Sequence, residues 1–283
     1  MSTANDGGFQ SATLLKYSLM TVLLSTIHVY QIKSHKTFLP LGKSNSLKAS
    51  PVIAAKKLEK KKKKTIYLSF DDGPNAGTDK VRRILKDEKV AATLFIIGEH
   101  INGSKAQKAI YDSLLLSEEI ELANHSFTHA HNAYSKFYNN TDSVVMDFKK
   151  CADSFQLKNS IARTPGRNIW RTANITCTDI KSSISAADGL YQNGFKLMGW
   201  DLEWHFTNDQ HLVQSDSLMI KQIEESFKKE QSKTKQTLVL LAHDRSFLSA
   251  GDSGSLHQFI KKIKASDEYE FEHLSKYPGL LKD

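Results

Sequence analysis

From Thr65 onward, short apolar runs alternate with amphipathic segments along the chain. Five runs have the length and the polar boundaries that are typical of buried strands, and they lie at residues 66–70, 92–97, 120–123, 195–200 and 238–242. Between the runs, apolar residues recur at helical spacing in four groups: Val81, Ile84 and Leu85; Ala109, Leu115 and Leu116; Ile220, Ile223 and Phe227; Phe259, Ile260 and Ile263. Strands that alternate with helices indicate βα units, and about 219 residues of them predict one β/α barrel.

The first 64 residues have a different pattern. An apolar stretch at residues 14–30 is interrupted by polar residues and is shorter than a membrane span usually is, so it is typical of a signal segment or a short anchor. Residues 32–64 end in five consecutive lysines and predict a solvated linker. We therefore divide the chain into an N-terminal tail with the apolar segment at 1–31, a lysine-rich linker at 32–64 and one folded domain at 65–283.

The N-terminal pattern favours export of the protein or its anchoring at the cell envelope. Lysines follow the apolar stretch, whereas an anchor with its N-terminus inside the cell prefers them before it. An interfacial helix, or a start codon placed too early, therefore stays open as an alternative. The lysines at 60–64 suit attraction to an anionic membrane or cell-wall polymer, but they are more simply a solubilising spacer.

The net charge of +8 is concentrated at one end of the chain. Residues 1–64 carry 12 Lys, no Arg and two acidic residues, so the remaining residues carry 27 basic and 29 acidic side chains. Because the predicted domain is nearly neutral, nucleic-acid binding loses its main electrostatic support. Two cysteines, Cys151 and Cys177, are too few for a disulfide scaffold; they are buried thiols, or a single disulfide if the domain is exported.

Chemically capable residues follow nearly every predicted strand. These are Asp71 and Asp72, His125 and His129, Arg163 to Gly166, Asp201 to Trp204, and His243 with Asp244. The carboxyl ends of the strands converge on one face of a β/α barrel, where active sites are built. The pattern therefore predicts one site assembled from five separate segments.

Two of these segments have the composition of a metal site. Asp71 and Asp72 precede Gly-Pro, so a turn should direct the two carboxylates differently and leave one free to accept a proton. His125 and His129 are four residues apart, which on a helical turn would place both imidazoles on one face. Either motif alone is more simply a turn signal or a pair of surface histidines. Together, Asp72, His125 and His129 supply two nitrogens and one oxygen and leave positions open for water and substrate.

The segment from Ser69 to Pro74, taken with His125-Ser126-x-x-His129, resembles the NodB-homology polysaccharide deacetylases of carbohydrate esterase family 4. The resemblance continues through the later motifs to about Leu248. It implies a distorted (β/α) barrel with a single NodB-like catalytic domain. It also implies one bound divalent metal ion, with Zn²⁺ as the favoured ion. The implied substrate is an acetylated polysaccharide or oligosaccharide. The substrates of the family are N-acetylglucosamine polymers such as peptidoglycan and chitooligosaccharides or, in some branches, acetylated xylan.

Carried over by motif, the resemblance implies a role for each candidate residue. Asp72, His125 and His129 would bind the metal. Asp71 would be the general base and His243 the general acid, and Arg163 and Asp201 would hold the base and the acid in place. Gly166 would donate a backbone N–H to the oxyanion, and Leu241 would line the acetyl pocket. Trp204 resembles the pocket tryptophan of the family, with ordinary core packing as the open alternative.

Two motifs depart from the family pattern. Gly166 and Arg167 follow Pro165 where the family usually has an aromatic residue, and Glu203 stands where an aspartate is more usual. Both departures concern substrate identity more than chemistry. An O-acetyl esterase and a catalytically inactive glycan-binding barrel therefore stay open as alternatives. A non-haem iron oxygenase, which also uses two histidines and one carboxylate, fits the paired aspartates and His243 less well.

Overall fold

A computed structural model describes residues 62–280 of the chain. Within them the ten strands are β1 (Lys64–Gly73), β2 (Ala92–Ile96), β3 (Ile120–Asn124), β4 (Ile161–Ala162), β5 (Ile169–Arg171), β6 (Thr176–Thr178), β7 (Lys196–Leu197), β8 (Leu202–Glu203), β9 (Thr237–His243) and β10 (Tyr269–Phe271). The α-helices of the same part are α1 (Ala76–Glu88), α2 (Gly98–Ile101), α3 (Lys105–Leu115), α4 (Tyr134–Tyr138), α5 (Thr141–Phe155), α6 (Ile184–Gln192), α7 (Asp216–Lys228) and α8 (Ala250–Ala265).

The strands form one curled sheet in the order β6-β5-β7-β4-β3-β2-β1-β9-β8, and β10 pairs with the first residues of β1. The pairs from β4 through β3, β2, β1 and β9 to β8 are parallel, as βα connections require, whereas β5 is antiparallel to both of its neighbours. The curled sheet is a half-barrel, which confirms the expected distorted (β/α) barrel.

Alternation along the central strands separates the two faces of the sheet. Ile66, Leu68 and Phe70 of β1 pack in one core cluster with apolar residues of α1, α7 and α8, on the helix-covered face. The intervening residues of β1 therefore point to the concave face, because successive side chains of a strand point to opposite sides. β9 follows the same rule, with Leu240 and Ala242 in the helix-side cluster. This alternation aims Asp71 and His243 into the inside of the curl.

The short polar connection after β1 caps the N-terminus of α1. Asn75 is the N-cap, and its side chain accepts hydrogen bonds from the N–H groups of Gly77 and Thr78. Val81 and Leu85 form the buried face of the helix, as their spacing predicts. A Cβ atom on Gly77 would lie 2.1 Å from the carbonyl oxygen of Asp244, so glycine is required where α1 meets the chain after β9.

The prediction of elements from periodicity succeeds where elements are long. β1, β2, β3 and β9 coincide with four of the predicted strands, and the four predicted helical groups lie in or at the end of α1, α3, α7 and α8. The predicted strand at 195–200 is only the two residues of β7. In α3 the buried residues are Tyr111 and Leu114, whereas Leu115 and Leu116 are exposed, contrary to the predicted face.

Most of the predicted N-terminal organisation lies outside the described residues. The tail at 1–31 and residues 32–61 of the linker are not part of the described structure, and export or anchoring stays a prediction. Among residues 62–280, no helix combines the length and the apolar character needed to cross a membrane. Cys151 is buried in α5 and Cys177 lies in β6, and both are free thiols.

Candidate active site

Asp71 and Asp72 lie at the carboxyl end of β1 and are almost completely buried. Asp72 has a φ of 79°, in the left-handed region that residues with a side chain seldom adopt. This backbone conformation sends the two adjacent carboxylates to different partners, as expected from the turn. Asp71 Oδ1 accepts a hydrogen bond of 2.9 Å from Arg163, and Asp72 Oδ2 lies 3.0 Å from the Arg245 guanidinium.

His125 follows β3 directly, at the same edge of the sheet. Its side chain is buried, and its Nδ1 lies 2.9 Å from the carbonyl oxygen of Arg163. Since that contact occupies Nδ1, the other ring nitrogen, Nε2, is the one directed to the carboxylates, 3.6 Å from Asp71 Oδ2 and 3.5 Å from Asp72 Oδ1. The backbone carbonyl thus orients the imidazole as a metal ligand is usually oriented.

His129 reaches the same point by a different route from the predicted one. The expectation that the two histidines share one face of a right-handed helical turn is wrong, because His129 begins the 3₁₀ turn His129–Asn132 with a φ of 51°. Ala130, His131 and Asn132 also have positive φ. A hydrogen bond from the His129 N–H to Ser126 Oγ, 2.9 Å long, holds the start of this turn. The turn brings the rings of His125 and His129 to a centroid distance of 5.1 Å.

Asp72, His125 and His129 form a group that fits a divalent metal ion. One ligand atom from each residue lies within 4.8 Å of the others. Asp72 Oδ1 is buried without a hydrogen bond, although His129 Nε2 is 3.2 Å away. A buried oxygen that lacks a partner is costly unless a cation or water satisfies it. Two imidazole nitrogens and one carboxylate oxygen are the donor set of an open catalytic metal site.

The electrostatics of Asp72 support the same interpretation. Burial by itself would raise the pKa of Asp72, but the neighbouring imidazoles of His125 and His129 outweigh it and hold that pKa well below the usual value. Asp72 is therefore a carboxylate at neutral pH, which is the form that binds metals. The positive φ of Asp72 and of His129 is backbone strain of the kind that concentrates at functional sites.

Arg163 follows β4 and is completely buried under the site. Its guanidinium donates to Asp71 Oδ1 and to Ser69 Oγ, both at 2.9 Å, and to the backbone carbonyl oxygens of Met198 and Gly199. The head group also lies over the ring of Phe95. Arg163 thus fixes one oxygen of Asp71 and leaves the other, Oδ2, directed at the metal-binding group, in agreement with the predicted positioning role.

His243 lies opposite Asp71 in the sheet. The two residues are register partners in the adjacent parallel strands β9 and β1. Leu241, two residues earlier in β9, lines the same cavity and is buried, and its role in an acetyl pocket stays a prediction. Burial lowers the pKa of His243, an effect that Asp71, Asp72 and Glu203 oppose. Its Nδ1 is buried and makes no hydrogen bond.

The structure corrects the role predicted for Asp201. Its carboxylate accepts hydrogen bonds from the backbone N–H groups of Lys233 (2.8 Å) and Val239 (2.9 Å), so it ties a loop to the middle of β9. Val239 precedes His243 by four residues, roughly 13 Å along a strand. The carboxylate that lines the cavity near His243 is that of Glu203, which pairs in register with Leu241. The Glu203 carboxylate lies 3.5 Å from His205 Nδ1.

The structure also places Trp204 in the core. Its side chain is completely buried, its indole N–H donates to the carbonyl oxygen of Gln214, and its ring packs on Phe247 and Phe259. Trp204 is therefore not a pocket residue, and the alternative of core packing is the one that holds. Trp200, which the sequence did not single out, lines the cavity.

One cavity of about 270 Å³ joins these residues. Of the predicted site residues it is lined by Asp71, Asp72, His125, His129, Gly166, Leu241 and His243. Thr164 and Glu203, which belong to the segments predicted to form the site, also line it, as do four residues that motif reasoning did not place there: Tyr134, Asp179, Trp200 and Arg245. Gly166 has a φ of 61°, and its proposed N–H donation to an oxyanion stays a prediction. Tyr134 and Arg245 lie near the motif residues in sequence, but nothing in their spacing identifies them.

Comparisons with known proteins agree with this architecture. The sequence model of the polysaccharide deacetylase family matches residues 58–166, the part that contains β1 to β4 and the metal-binding group. YheN of Bacillus subtilis, named as a polysaccharide deacetylase, is 27% identical over 69% of this chain and 64% of its own length. The chitin disaccharide deacetylase of Vibrio alginolyticus is 27% identical over 50% of this chain and 48% of its own. The chain thus spans between about half and two thirds of these relatives.

A solved structure shows the same fold. A carbohydrate esterase of family 4 from Streptococcus mutans superposes with a TM-score of 0.55 at 23% identity, over 75% of this chain and 86% of that one. The family match, the relatives and the fold cover the same segments that carry Asp72, His125 and His129. Residues 58–166 are therefore similar to the polysaccharide deacetylase family, and the described residues share the fold of a solved domain of carbohydrate esterase family 4.

Proposed function

We propose that this protein is a metal-dependent hydrolase that removes acetyl groups from a glycan containing N-acetylglucosamine. One observation carries the proposal: a single cavity is lined by the group of Asp72, His125 and His129 and also by Asp71 and His243. Hydrolysis of an acetyl group needs an acceptor for the proton of the attacking water and a donor for the leaving group. The candidate acceptor, Asp71, and the candidate donor, His243, line the same cavity as the group that could bind a metal ion.

Asp71 is suited to accept the proton. Arg163 holds its Oδ1, so the free oxygen is Oδ2, which faces the metal-binding group 3.6 Å from His125 Nε2. Asp72, His125 and His129 would hold a divalent ion, which we propose to be Zn²⁺, and that ion would supply a Lewis acid for the acetyl carbonyl and a water molecule with a pKa lowered to about 7. Asp71 accepts the proton of the attacking water molecule through Oδ2.

His243 is suited to complete the reaction. It lies beside Asp71 on the neighbouring strand, so both side chains face the same cavity and one bound substrate can reach the base and the acid. The protonated imidazole donates to the amine nitrogen as the carbon–nitrogen bond breaks, releasing acetate and a free amino sugar. Leu241 offers an apolar wall for the acetyl methyl group.

The substrate class is proposed from the relatives as well as from the cavity. One relative is named for the chitin disaccharide, a polymer unit of N-acetylglucosamine. Aromatic side chains of Tyr134 and Trp200 line the cavity and offer apolar surface to a sugar ring. Action at the cell envelope remains a proposal that rests on the N-terminal sequence pattern alone.

The test is metal-dependent release of acetate. The full chain is stripped with a chelator, reloaded with Zn²⁺, and incubated with N-acetylated chitooligosaccharides, peptidoglycan and acetylated xylan. We expect acetate from at least one N-acetylglucosamine substrate, loss of release on stripping, and recovery on reloading. Release from acetylated xylan alone would make the protein an O-acetyl esterase. Stoichiometric metal without acetate from any substrate would contradict the proposal and favour a binding barrel.

A further inference from the structure

At Gly166, which follows Pro165 where the family usually has an aromatic residue, the aromatic ring of Tyr134 lies close to the backbone. Gly166 lines the cavity with a φ of 61°, and a Cβ atom built there would lie 3.1 to 3.3 Å from three carbon atoms of the Tyr134 ring. That spacing is closer than ordinary carbon–carbon contact, which begins at about 3.5 Å. The Tyr134 ring therefore occupies the space into which a side chain at position 166 would project.

Tyr134 is placed there by the left-handed turn that also carries the metal-binding histidine. It is the first residue of α4, which follows the 3₁₀ turn His129–Asn132 almost directly. The Tyr134 ring meets the His129 ring edge to face, with centroids 5.8 Å apart. Its hydroxyl donates to Asn132 Oδ1 over 3.2 Å. The ring thus stands next to a metal-binding side chain and is half-buried at the cavity.

The guanidinium group of Arg167 packs against the Tyr134 ring. Its guanidinium carbon lies 5.7 Å from the centre of the Tyr134 ring and 5.2 Å from that of Tyr138. The same guanidinium donates to Ser183 Oγ and to the carbonyl oxygen of Gly166, so its position is set by contacts other than the tyrosines. An aromatic ring that is already fixed loses little conformational entropy when a ligand packs on it.

We propose that Tyr134 is the residue that positions the acetylated sugar, providing an aromatic surface at the place where the chain has Gly166 instead of an aromatic side chain. The inference rests on the proposed function and adds to it the residue that sets the fit of the sugar. The C–H face of a pyranose ring is apolar and packs on an aromatic ring. A sugar on Tyr134 lies next to the metal-binding group, since the His129 ring contacts the same tyrosine ring.

The experiment compares Tyr134→Ala and Tyr134→Phe with wild type in the full chain. With the Zn²⁺-loaded protein and N-acetylated chitotetraose, we expect Tyr134→Ala to raise KM about tenfold or more and to change kcat much less. Tyr134→Phe keeps the ring and should restore KM to within about threefold of wild type. Tyr191→Ala removes an exposed aromatic residue of α6 and is the matched control, with no change in KM.

A second measurement separates this inference from the proposed function. Calorimetric binding of chitotetraose to the metal-free full chain needs no turnover, and Tyr134→Ala should weaken it about tenfold while Tyr134→Phe should not. Acetate release by wild type with an unchanged KM in Tyr134→Ala overturns the inference and leaves the function standing. Loss of bound zinc from Tyr134→Ala would make the residue a support of the metal site and also overturn it. If Tyr134→Ala binds chitotetraose as tightly as wild type does, the inference is overturned. It is also overturned if wild type does not bind chitotetraose.

Discussion

Asp72 is the residue on which the metal site depends most directly. Its Oδ1 has no hydrogen bond, and the two histidines near it are turned to it by separate contacts, one from the Arg163 carbonyl and one through the turn after Ser126. Each ligand therefore comes from a differently supported segment. No other carboxylate or imidazole of residues 62–280 completes a group of three with any two of them.

We therefore predict that Asp72→Ala, His125→Ala or His129→Ala each abolishes stoichiometric zinc binding and activity, because a site with three protein ligands cannot spare one. Elemental analysis after dialysis measures the bound metal. His131→Ala is the matched control, since His131 lies in the same turn but is exposed and pairs with Glu99. Retention of one zinc per chain by any of the three ligand variants would show that the ligand set is different.

The two proton carriers should behave differently from the ligands. Asp71→Asn and His243→Ala should bind zinc like wild type and lose about 10² to 10⁴-fold in kcat, because neither residue belongs to the metal-binding group. The wild-type pH profile should be a bell, and His243→Ala should flatten its alkaline limb. Near-normal turnover of an amide-linked acetyl substrate by His243→Ala would mean that the leaving amine obtains its proton elsewhere.

At the scale of elements, the contact between α1 and the end of β9 contains a buried carboxyl group. Asp244 follows β9, accepts hydrogen bonds from the side chains of Thr78 and Asn75 at the start of α1, and is completely buried. Burial raises the pKa of Asp244 to about 7, and the nearby Asp72 and Asp71 add to the increase. The folded protein therefore binds a proton on Asp244 more tightly than the unfolded chain, whose Asp pKa is about 3.9.

This difference predicts how stability changes with pH. Between about pH 4 and pH 7 the folded state holds the Asp244 proton and the unfolded state does not, so the free energy of unfolding falls as pH rises. The contribution of Asp244 to that fall is on the order of 4 kcal/mol. Asp244→Asn keeps the shape and cannot titrate, so denaturant melts of the metal-free protein across this range should lose that part of the slope. An unchanged slope in Asp244→Asn would assign it to other groups.

Element prediction failed where elements were short or where one face could not be told from another. β4 to β8 have two or three residues each, too few for any period to be visible. Helix α5 carries Val144, Val145, Phe148 and Cys151 on its buried face, but it lay between the motifs and was not predicted. In α3 the spacing of Leu115 and Leu116 fits a helix, while only packing decides that Leu114 is the buried leucine.

At the scale of the whole molecule, the N-terminal boundary of the folded domain is set by pairing with the last strand. Lys64 donates its N–H to the carbonyl oxygen of Glu268, and its ammonium group lies over the rings of Phe227 and Tyr269. β1 therefore begins one residue before the predicted domain at 65–283. The boundaries at 31 and 64 stay predictions.

We expect a chain that starts at residue 62 to keep the melting temperature, zinc content and activity of the full chain. A chain that starts at residue 65 loses the Lys64 hydrogen bond and cation–π contacts, about 1 to 2 kcal/mol together. Its melting temperature should fall by roughly 2 to 8 °C in calorimetry. If the chain from residue 62 melts lower than the full protein, residues before 62 contribute to the fold.

The amino-acid sequence by itself determined the long central strands and singled out Asp71, Asp72, His125, His129 and His243, which the structure brings to one cavity. These features depend on local alternation and on motifs a few residues long, and a strand of seven to ten residues aims every second side chain at the same face. Only the tertiary structure decided which tryptophan lines the cavity, which carboxylate stands near His243, and what fills the space above Gly166. Those are contacts between segments distant in sequence, and Trp200 and Trp204, or Asp201 and Glu203, differ in surroundings that the order of residues alone does not reveal.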